Sequence, residues 1–173
     1  MLKMFTTQLT GLLQRISDKE AFSIEDGARL LAQASAGEGH IYIKGLKEMQ
    51  AIEYEAIEGA EPFRHARVLQ SDTQIKQMDR VLLISRLAND PEAIAIGESL
   101  AAEGIPFVAI AGQIKADSEP SLADLADIFI DTKLTKGMLP DDSGGRTGFP
   151  SAMAGLYIYH LLKMTTDEIL EDY

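Results

Sequence analysis

Cysteine is absent from this chain of 173 residues, which excludes disulfides, thiol nucleophiles and cysteine metal sites. The three histidines are scattered without metal-site spacing, so no metal is expected. No apolar run reaches the roughly 18 residues that a membrane helix needs. The first ten residues lack the apolar core of a signal peptide. We therefore expect a cytoplasmic protein that makes no contact with a membrane.

Positive charge is scarce, because 16 lysines and arginines stand against 27 aspartates and glutamates, for a net charge of −11. Such a charge repels phosphate backbones and anionic lipids, so nucleic acid is not an expected partner. Hydrophobic residues make up 46% of the chain, which is enough to bury a core. The length suits one domain, expected over residues 1–173.

Common nucleotide and hydrolase motifs are missing as well. No Gly-x-Gly-x-x-Gly follows the first expected strand, and neither a Walker loop nor Gly-x-Ser-x-Gly occurs. The sequence gives no support for a dinucleotide site, a P-loop or a nucleophile elbow. We expect no cofactor.

Two leading helices are predicted over residues 6–36. Apolar residues at Leu9, Leu12, Leu13 and Ile16 have helical spacing, which predicts a helix over about residues 6–20. A capping-box-like segment at Ser23 predicts the start of a second helix, which Gly37 would end.

Strands and helices then alternate, which predicts a parallel sheet covered on both faces. The fold class is therefore α/β, a three-layer α/β/α sandwich with a mainly parallel five-stranded sheet core over residues 40–131. Strands are predicted at 40–44, 66–69, 80–85, 105–111 and 127–131, helices at about 48–58, 91–104 and 121–126, a loop at 132–150 and a closing helix at 151–164.

The segments 81–92, 102–111 and 121–130 resemble the SIS (sugar isomerase) domain, in which a strand ends in Ser-x-Ser-Gly-x-Thr-x-Glu. The resemblance covers roughly residues 5–165 and is closest in size to phosphoheptose isomerases, as in a short bacterial branch of the family. It implies phosphosugar binding in the crevice at the carboxyl ends of the strands. It also implies an anion site at a helix N-terminus.

The family motif is only partly present. Ser85 matches its first serine and Asn89 falls on a variable position, so both are candidate ligands. Leu87, Ala88 and Asp90 replace the second serine, the glycine and the threonine. Asp90 would add negative charge where a phosphate binds, but an aspartate before Pro91 is predicted to point away and cap the following helix.

The loop after the first strand is altered in a similar way. Gly45 keeps the family's first glycine, whereas Lys47 and Met49 replace a glycine and a serine. Lys44, Lys47 and Arg86 follow or end strands, where they would supply charge to an anion or form ordinary solvated surface.

The segment 143–147 offers free backbone N–H groups, hydroxyls and a guanidinium. It is either an anion-binding nest, with Ser143, Gly144, Gly145 and Arg146 as ligands, or a flexible loop beside the crevice.

Catalysis of aldose–ketose isomerisation needs a base and an acid, and Glu58 and His160 are the candidates. Neither matches the family register, since the aligned positions hold Gly59 and Gly155. The position of His160 in an apolar helix favours a hydrogen-bonded core or interface histidine over a catalytic one.

Three functions remain open: a sugar-phosphate isomerase, a non-catalytic sensor for an anionic metabolite, and an interaction module without a ligand. The apolar closing helix predicts a homo-oligomer, a dimer or tetramer. The expected ligand is a small anion, because basic residues follow strand ends or lie in the last loop, namely Lys44, Lys47, Arg86, Lys115, Lys133, Lys136 and Arg146.

Overall fold

The computed structural model describes residues 1–114 and 120–172, so Lys115 lies outside the described residues. Its first element is one continuous helix, α1 (Leu2–Ala36), and the prediction of two leading helices was wrong. Buried residues such as Ile16, Ile24 and Leu31 lie along the whole helix, across the expected break at Ser23. Residues 17–26 contain no glycine or proline, so burial of the apolar stripe outweighs the capping signal of one serine.

The remaining elements follow the predicted alternation. A turn of 3-10 helix at Lys47–Met49 precedes the second helix. The elements are β1 (Ile41–Gly45), α2 (Gln50–Glu58), β2 (Ala66–Val68), β3 (Arg80–Leu87), α3 (Pro91–Ala102), β4 (Phe107–Gly112), α4 (Leu122–Leu125), β5 (Ile128–Asp131), β6 (Leu139–Pro140), β7 (Arg146–Thr147) and α5 (Ser151–Glu171).

Five strands form one parallel sheet in the order β2-β1-β3-β4-β5, which confirms the expected fold class. The expected loop at 132–150 contains a short antiparallel hairpin of β6 and β7. The closing helix is seven residues longer than predicted, because α5 continues to Glu171.

Two apolar cores lie on the two faces of the sheet. Side chains alternate along β3, so that Leu82 and Ile84 join the core under α1, α2 and α5. Val81 and Leu83 join the core under α3 and α4. The result is the three-layer arrangement predicted from the continuous apolar strands.

The apolar character of α5 is explained within the chain, because Ile158, Tyr159 and Leu162 are buried in the first core. The helix packs mainly on α1. In the part of the chain that the structure describes, no helix combines the length and apolarity needed to cross a bilayer.

Candidate functional site

The crevice of this sheet lies between β1 and β3. From β1 the chain turns to β2 on one side, and from β3 it proceeds to β4 on the other side. Because α2 and α3 cover opposite faces, the carboxyl ends of β1 and β3 are left open between them. Ligands of doubly wound sheets bind at this position.

A tight turn after β1 forms one wall of the crevice. A Cβ atom at Gly45 would lie 2.1 Å from the carbonyl oxygen of Met49, so only glycine fits there. The Gly45 N–H donates to Glu53 Oε1 at 2.7 Å. Glu53 is a buried carboxylate whose role the sequence analysis missed.

Lys47 lies in this turn with φ of 54°, in the left-handed region that costs a residue with a side chain about 1–2 kcal/mol. The position corresponds to a glycine in the SIS resemblance. The backbone conformation therefore suits glycine, while the side chain is lysine. Lys47 Nζ lies 2.9 Å from Asp90 Oδ2 across the crevice, and the lysine side chain is 59% exposed.

A β-bulge forms the opposite wall. Ile84 pairs with Ile110 but Leu87 with Gly112, so β3 holds one residue more than β4 over this stretch. Within the bulge, Ser85 is fully buried and its hydroxyl has no hydrogen-bond partner among the described residues. Arg86 points outward, with its guanidinium 6.0 Å from the ring centroid of Phe149.

Arg86 forms a two-point ion pair with Glu48. Its Nε lies 2.6 Å from Glu48 Oε1 and its Nη2 2.8 Å from Oε2. Ser151, the first residue of α5, donates to the same Oε1 at 2.6 Å. The hydrogen bonds from Arg86, and less strongly the one from Ser151, lower the pKa of Glu48 from its usual 4.5 to about 2, although burial opposes them. Glu48 and Ser151 were not identified from the sequence.

Asp90 caps α3, as the sequence predicted. Its Oδ1 accepts the Glu92 N–H at 3.0 Å, and Pro91 occupies the first helical position. Burial raises the pKa of Asp90, but the hydrogen bonds from Lys47 and the Glu92 N–H outweigh it and leave that pKa below its usual value. An internal carboxylate thus occupies the helix N-terminus where the resemblance implied a phosphate.

The crevice contains a cavity of about 280 Å³, lined by Lys47, Arg86, Leu87, Asn89, Asp90 and Pro91. Of the predicted ligands, Lys47, Arg86 and Asn89 line this cavity, whereas the Ser85 side chain is fully buried and Gly45 ends the neighbouring strand β1. Among the described residues, two cations line this cavity, and each is paired with a carboxylate. The summed charge of these two ion pairs is zero.

The segment 143–147 does not join this group as a free nest. Asp141 Oδ1 accepts the backbone N–H groups of Ser143 at 2.9 Å and Gly145 at 2.7 Å, and also the Ser143 hydroxyl. Gly144 has φ of 84°, which lets the loop wrap around this carboxylate. The hydrogen bonds from the Ser143 hydroxyl and the Gly145 N–H lower the pKa of Asp141.

Glu58 and His160 do not meet in the crevice. His160 Nε2 lies 3.8 Å from Glu55 Oε1, one turn of α2 before Glu58. His160 follows Ser151 by nine residues of α5, about 14 Å along the helix axis, and is therefore remote from the Glu48–Arg86 pair. Glu58 instead lines a separate cavity together with Glu53 and Tyr54.

Sequence comparisons find a matching family model and a relative of nearly the same length. A family model described as "Domain of unknown function (DUF2529)" matches residues 1–170. The "Uncharacterized protein YwjG" of Bacillus subtilis (strain 168) is 41% identical over 174 residues, which cover 100% of this chain and 99% of that protein.

Two solved structures share the fold. The protein c3406 of E. coli CFT073, solved in complex with a sugar phosphate, superposes with a TM-score of 0.73 at 15% identity, over 97% of this chain and 89% of that one. Phosphoheptose isomerase GmhA from Neisseria gonorrhoeae has a TM-score of 0.69 at 15% identity, over 95% of each chain. The SIS resemblance is thus confirmed at the level of the fold.

Proposed function

Since the chain belongs to the DUF2529 family and has the SIS-type fold, we propose that it binds a sugar phosphate in the crevice between β1 and β3 without isomerising it. The ligand class is suggested by c3406, a neighbour of the same fold that was solved with a sugar phosphate. The observation that carries the proposal is the strained backbone of Lys47.

Residues with strained backbone conformations cluster at active sites and ligand clamps, so the observed strain at Lys47 supports a hypothesis of function. The exposed Lys47–Asp90 ion pair contributes little stability, about 0–1 kcal/mol, which does not exceed the cost of the left-handed backbone. The lysine is therefore better explained by a role in binding than by stability. Its flexible stem lets the ammonium exchange Asp90 for a ligand phosphate.

Two further donors surround the same cavity. Glu48 occupies Nε and Nη2 of Arg86, so the remaining guanidinium nitrogen, Nη1, is the one that we assign to the ligand. The Asn89 side chain is exposed at the cavity and offers a neutral amide donor. Because the two cations keep their carboxylate partners in the free protein, affinity is expected to be modest, with Kd of roughly 1 mM.

Isomerisation is not part of the proposal. Among the described residues that line the cavity, Asp90 is the one carboxylate, and it is held by the Glu92 N–H and Lys47, which leave its pKa below the usual value. Glu48, with a pKa of about 2, is a weak base at neutral pH. His160 contacts Glu55 at a distance from the crevice, so it cannot share a substrate with Glu48.

The proposal is tested by titrating the 15N-labelled protein with arabinose 5-phosphate in D2O-containing buffer. We expect saturable NMR shifts at the amides of Arg86 and Asn89, and no deuterium in the recovered sugar phosphate. Unphosphorylated arabinose is the ligand control.

Lys47→Gly is the decisive variant, with exposed Lys3→Gln as the matched control. Lys47→Gly relieves the backbone strain, so its free energy of unfolding should stay within about 1 kcal/mol of wild type. In this variant, the NMR shifts that the sugar phosphate causes at the Arg86 and Asn89 amides should disappear. Unchanged crevice binding in Lys47→Gly, or incorporation of deuterium by the wild-type protein, would overturn the proposal.

Association of copies stays a prediction, as does the cytoplasmic location. The first turns of α1 expose apolar side chains, with Leu2 86% and Met4 53% exposed. We propose that a second copy covers them. Light scattering should show a mass above one chain, and the double variant Leu2→Ser/Met4→Ser should reduce it, whereas a monomeric wild-type protein would refute this prediction.

A further inference from the structure

A second cavity lies beside β5, away from the crevice. Its volume is about 170 Å³ and it lies between one face of α1 and the loop that follows β5. From α1 it receives Gln8, Leu12 and Arg15, which share a helix face by their spacing. The other lining residues are Lys133, Leu134, Thr135, Lys136, Gly137, Met138 and Arg146.

The charge of this cavity is opposite to that of the whole protein. Among the described residues, four cations line it and no aspartate or glutamate does. Arg15, Lys136 and Arg146 have no carboxylate within 4.0 Å in residues 1–114 and 120–172. Two other cavities are lined, over the same part of the chain, by carboxylates without any cation, one with Glu53 and Glu58 and the other with Glu25, Glu168 and Asp172.

Two of these four cations, Lys133 and Arg146, are held in place by the fold. Lys133 is only 25% exposed, and its ammonium lies 2.5 Å from Glu20 and 3.1 Å from Asp131, which fixes the loop to α1. Arg146 donates from Nε to the Gly137 carbonyl at 2.5 Å and from Nη2 to the Met138 carbonyl at 2.8 Å. These bonds orient the guanidinium before any ligand arrives.

We propose that this cavity, lined by Arg15, Lys136 and Arg146, is a second binding site for a phosphate group. Three cations without a carboxylate partner among the described residues, in a chain of net charge −11, suit a compact dianion. The cavity floor of Leu12, Leu134 and Met138 provides space for a small apolar portion of an ester, while the volume excludes a large ligand. This site does not depend on the function proposed for the crevice.

The two sites are separable by NMR with inorganic phosphate as the probe, titrated at constant sodium concentration. Saturable shifts are expected at the amides of Thr135 and Gly137, separate from any at Asn89. In the double variant Arg15→Gln/Lys136→Gln, the phosphate concentration at the midpoint of these shifts should rise about tenfold or more, which is equivalent to a loss of at least 1.4 kcal/mol in binding free energy. The control Lys3→Gln/Lys19→Gln removes two exposed lysines of α1 outside the cavity and should leave it unchanged.

A parallel titration with propyl phosphate distinguishes a phosphate ester from free phosphate, because contact of the propyl group with Leu12, Leu134 and Met138 makes the ester bind more tightly. Arg15 and Lys136 are exposed, so the double variant should fold, and its circular dichroism and melting temperature verify this. The proposal is overturned if phosphate up to 10 mM, a concentration of the order of weak anion binding, leaves the wild-type amides unshifted. It is equally overturned if the Thr135 and Gly137 amides of the folded double variant shift at the same phosphate concentrations as those of the wild-type protein.

Discussion

Lys47 and Lys133 occupy similar places in two regions of the molecule. Each follows the carboxyl end of a parallel strand, and their φ angles of 54° and 57° are both left-handed. Each ammonium contacts a carboxylate, Asp90 for Lys47 and Glu20 with Asp131 for Lys133. Their surroundings differ in charge.

In the crevice, the second cation is Arg86, and Glu48 neutralises it. Beside β5, three further cations line the cavity without carboxylate partners in the described parts of the chain. The fold therefore places basic groups at both positions, but the pairing of those groups decides how strongly an anion is attracted. In the crevice, a cation has to exchange its carboxylate partner for the anion, whereas the unpaired cations beside β5 need no such exchange.

The largest effect is expected at Gly45, because the turn after β1 depends on a close backbone approach at this residue. Gly45→Ala places a Cβ 2.1 Å from the Met49 carbonyl oxygen, so the turn must move. We expect a loss of about 3 kcal/mol in the free energy of unfolding, measured with urea. The same substitution should abolish ligand binding in the crevice, whereas phosphate binding in the cavity beside β5 should persist.

Gly11→Ala provides the control for this change. Gly11 is a helical and exposed residue, and among residues 1–114 and 120–172 no heavy atom counted as a neighbour lies within 4 Å of a Cβ placed there. The substitution should therefore stabilise the protein by about 0.5–1 kcal/mol. A Gly45→Ala variant as stable as Gly11→Ala would contradict the described turn.

Glu48→Gln should make the crevice resemble the second cavity. Removing this carboxylate frees Arg86, so phosphate affinity at Asn89 should rise about tenfold. Stability should fall by about 1–2 kcal/mol, because a two-point ion pair and the Ser151 hydrogen bond are weakened. Exposed Glu98→Gln controls for the change in net charge, and equal affinity gains in both variants would contradict local neutralisation.

The pH dependence of stability should differ between the wild-type protein and the Glu48→Gln variant. The folded pKa of Glu48, about 2, lies below its usual 4.5, so its stabilising contribution is present above about pH 4.5 and is lost as the pH falls toward 2. The difference in unfolding free energy between wild type and Glu48→Gln should therefore shrink over that interval. A difference that stays constant from about pH 6.5 to about pH 2.5 would contradict the assignment.

The smallest stability effect is expected for Thr135→Glu, at an exposed residue that lines the second cavity. It introduces the carboxylate that the cavity lacks among its described residues. Melting temperature should change little, whereas phosphate binding at Gly137 should weaken about tenfold. Thr135→Gln supplies the same shape without charge and should bind as wild type does, and equal weakening in both variants would exclude an electrostatic cause.

The sequence was sufficient to predict the parallel sheet and where several strands and helices begin or end. Continuous apolar runs such as Val81–Ile84 predicted parallel strands buried on both faces, and these strands form as expected. Asp90 before Pro91 predicted the start of α3. Both signals are local, because a strand's burial and a helix cap are read from adjacent residues.

The polar contacts of the site could not be predicted in the same way. Glu48 meets Arg86 and Ser151 across separations of 38 and 103 residues, and no local pattern specifies such pairs. The sequence alone leaves the segment 143–147 as either an anion-binding nest or a flexible loop, because it does not show that Asp141 accepts the N–H groups of Ser143 and Gly145. At Ser23, a local capping signal was overridden by the packing of a helix of 35 residues.

The most direct test is a single NMR titration of the wild-type protein with inorganic phosphate at constant sodium concentration. Because unpaired cations attract an anion more strongly than paired ones, the midpoint of the shift at Gly137 should lie at a lower concentration than that at Asn89. If Asn89 shifts first, or if the two amides shift together, the pairing of charges does not decide affinity in this protein.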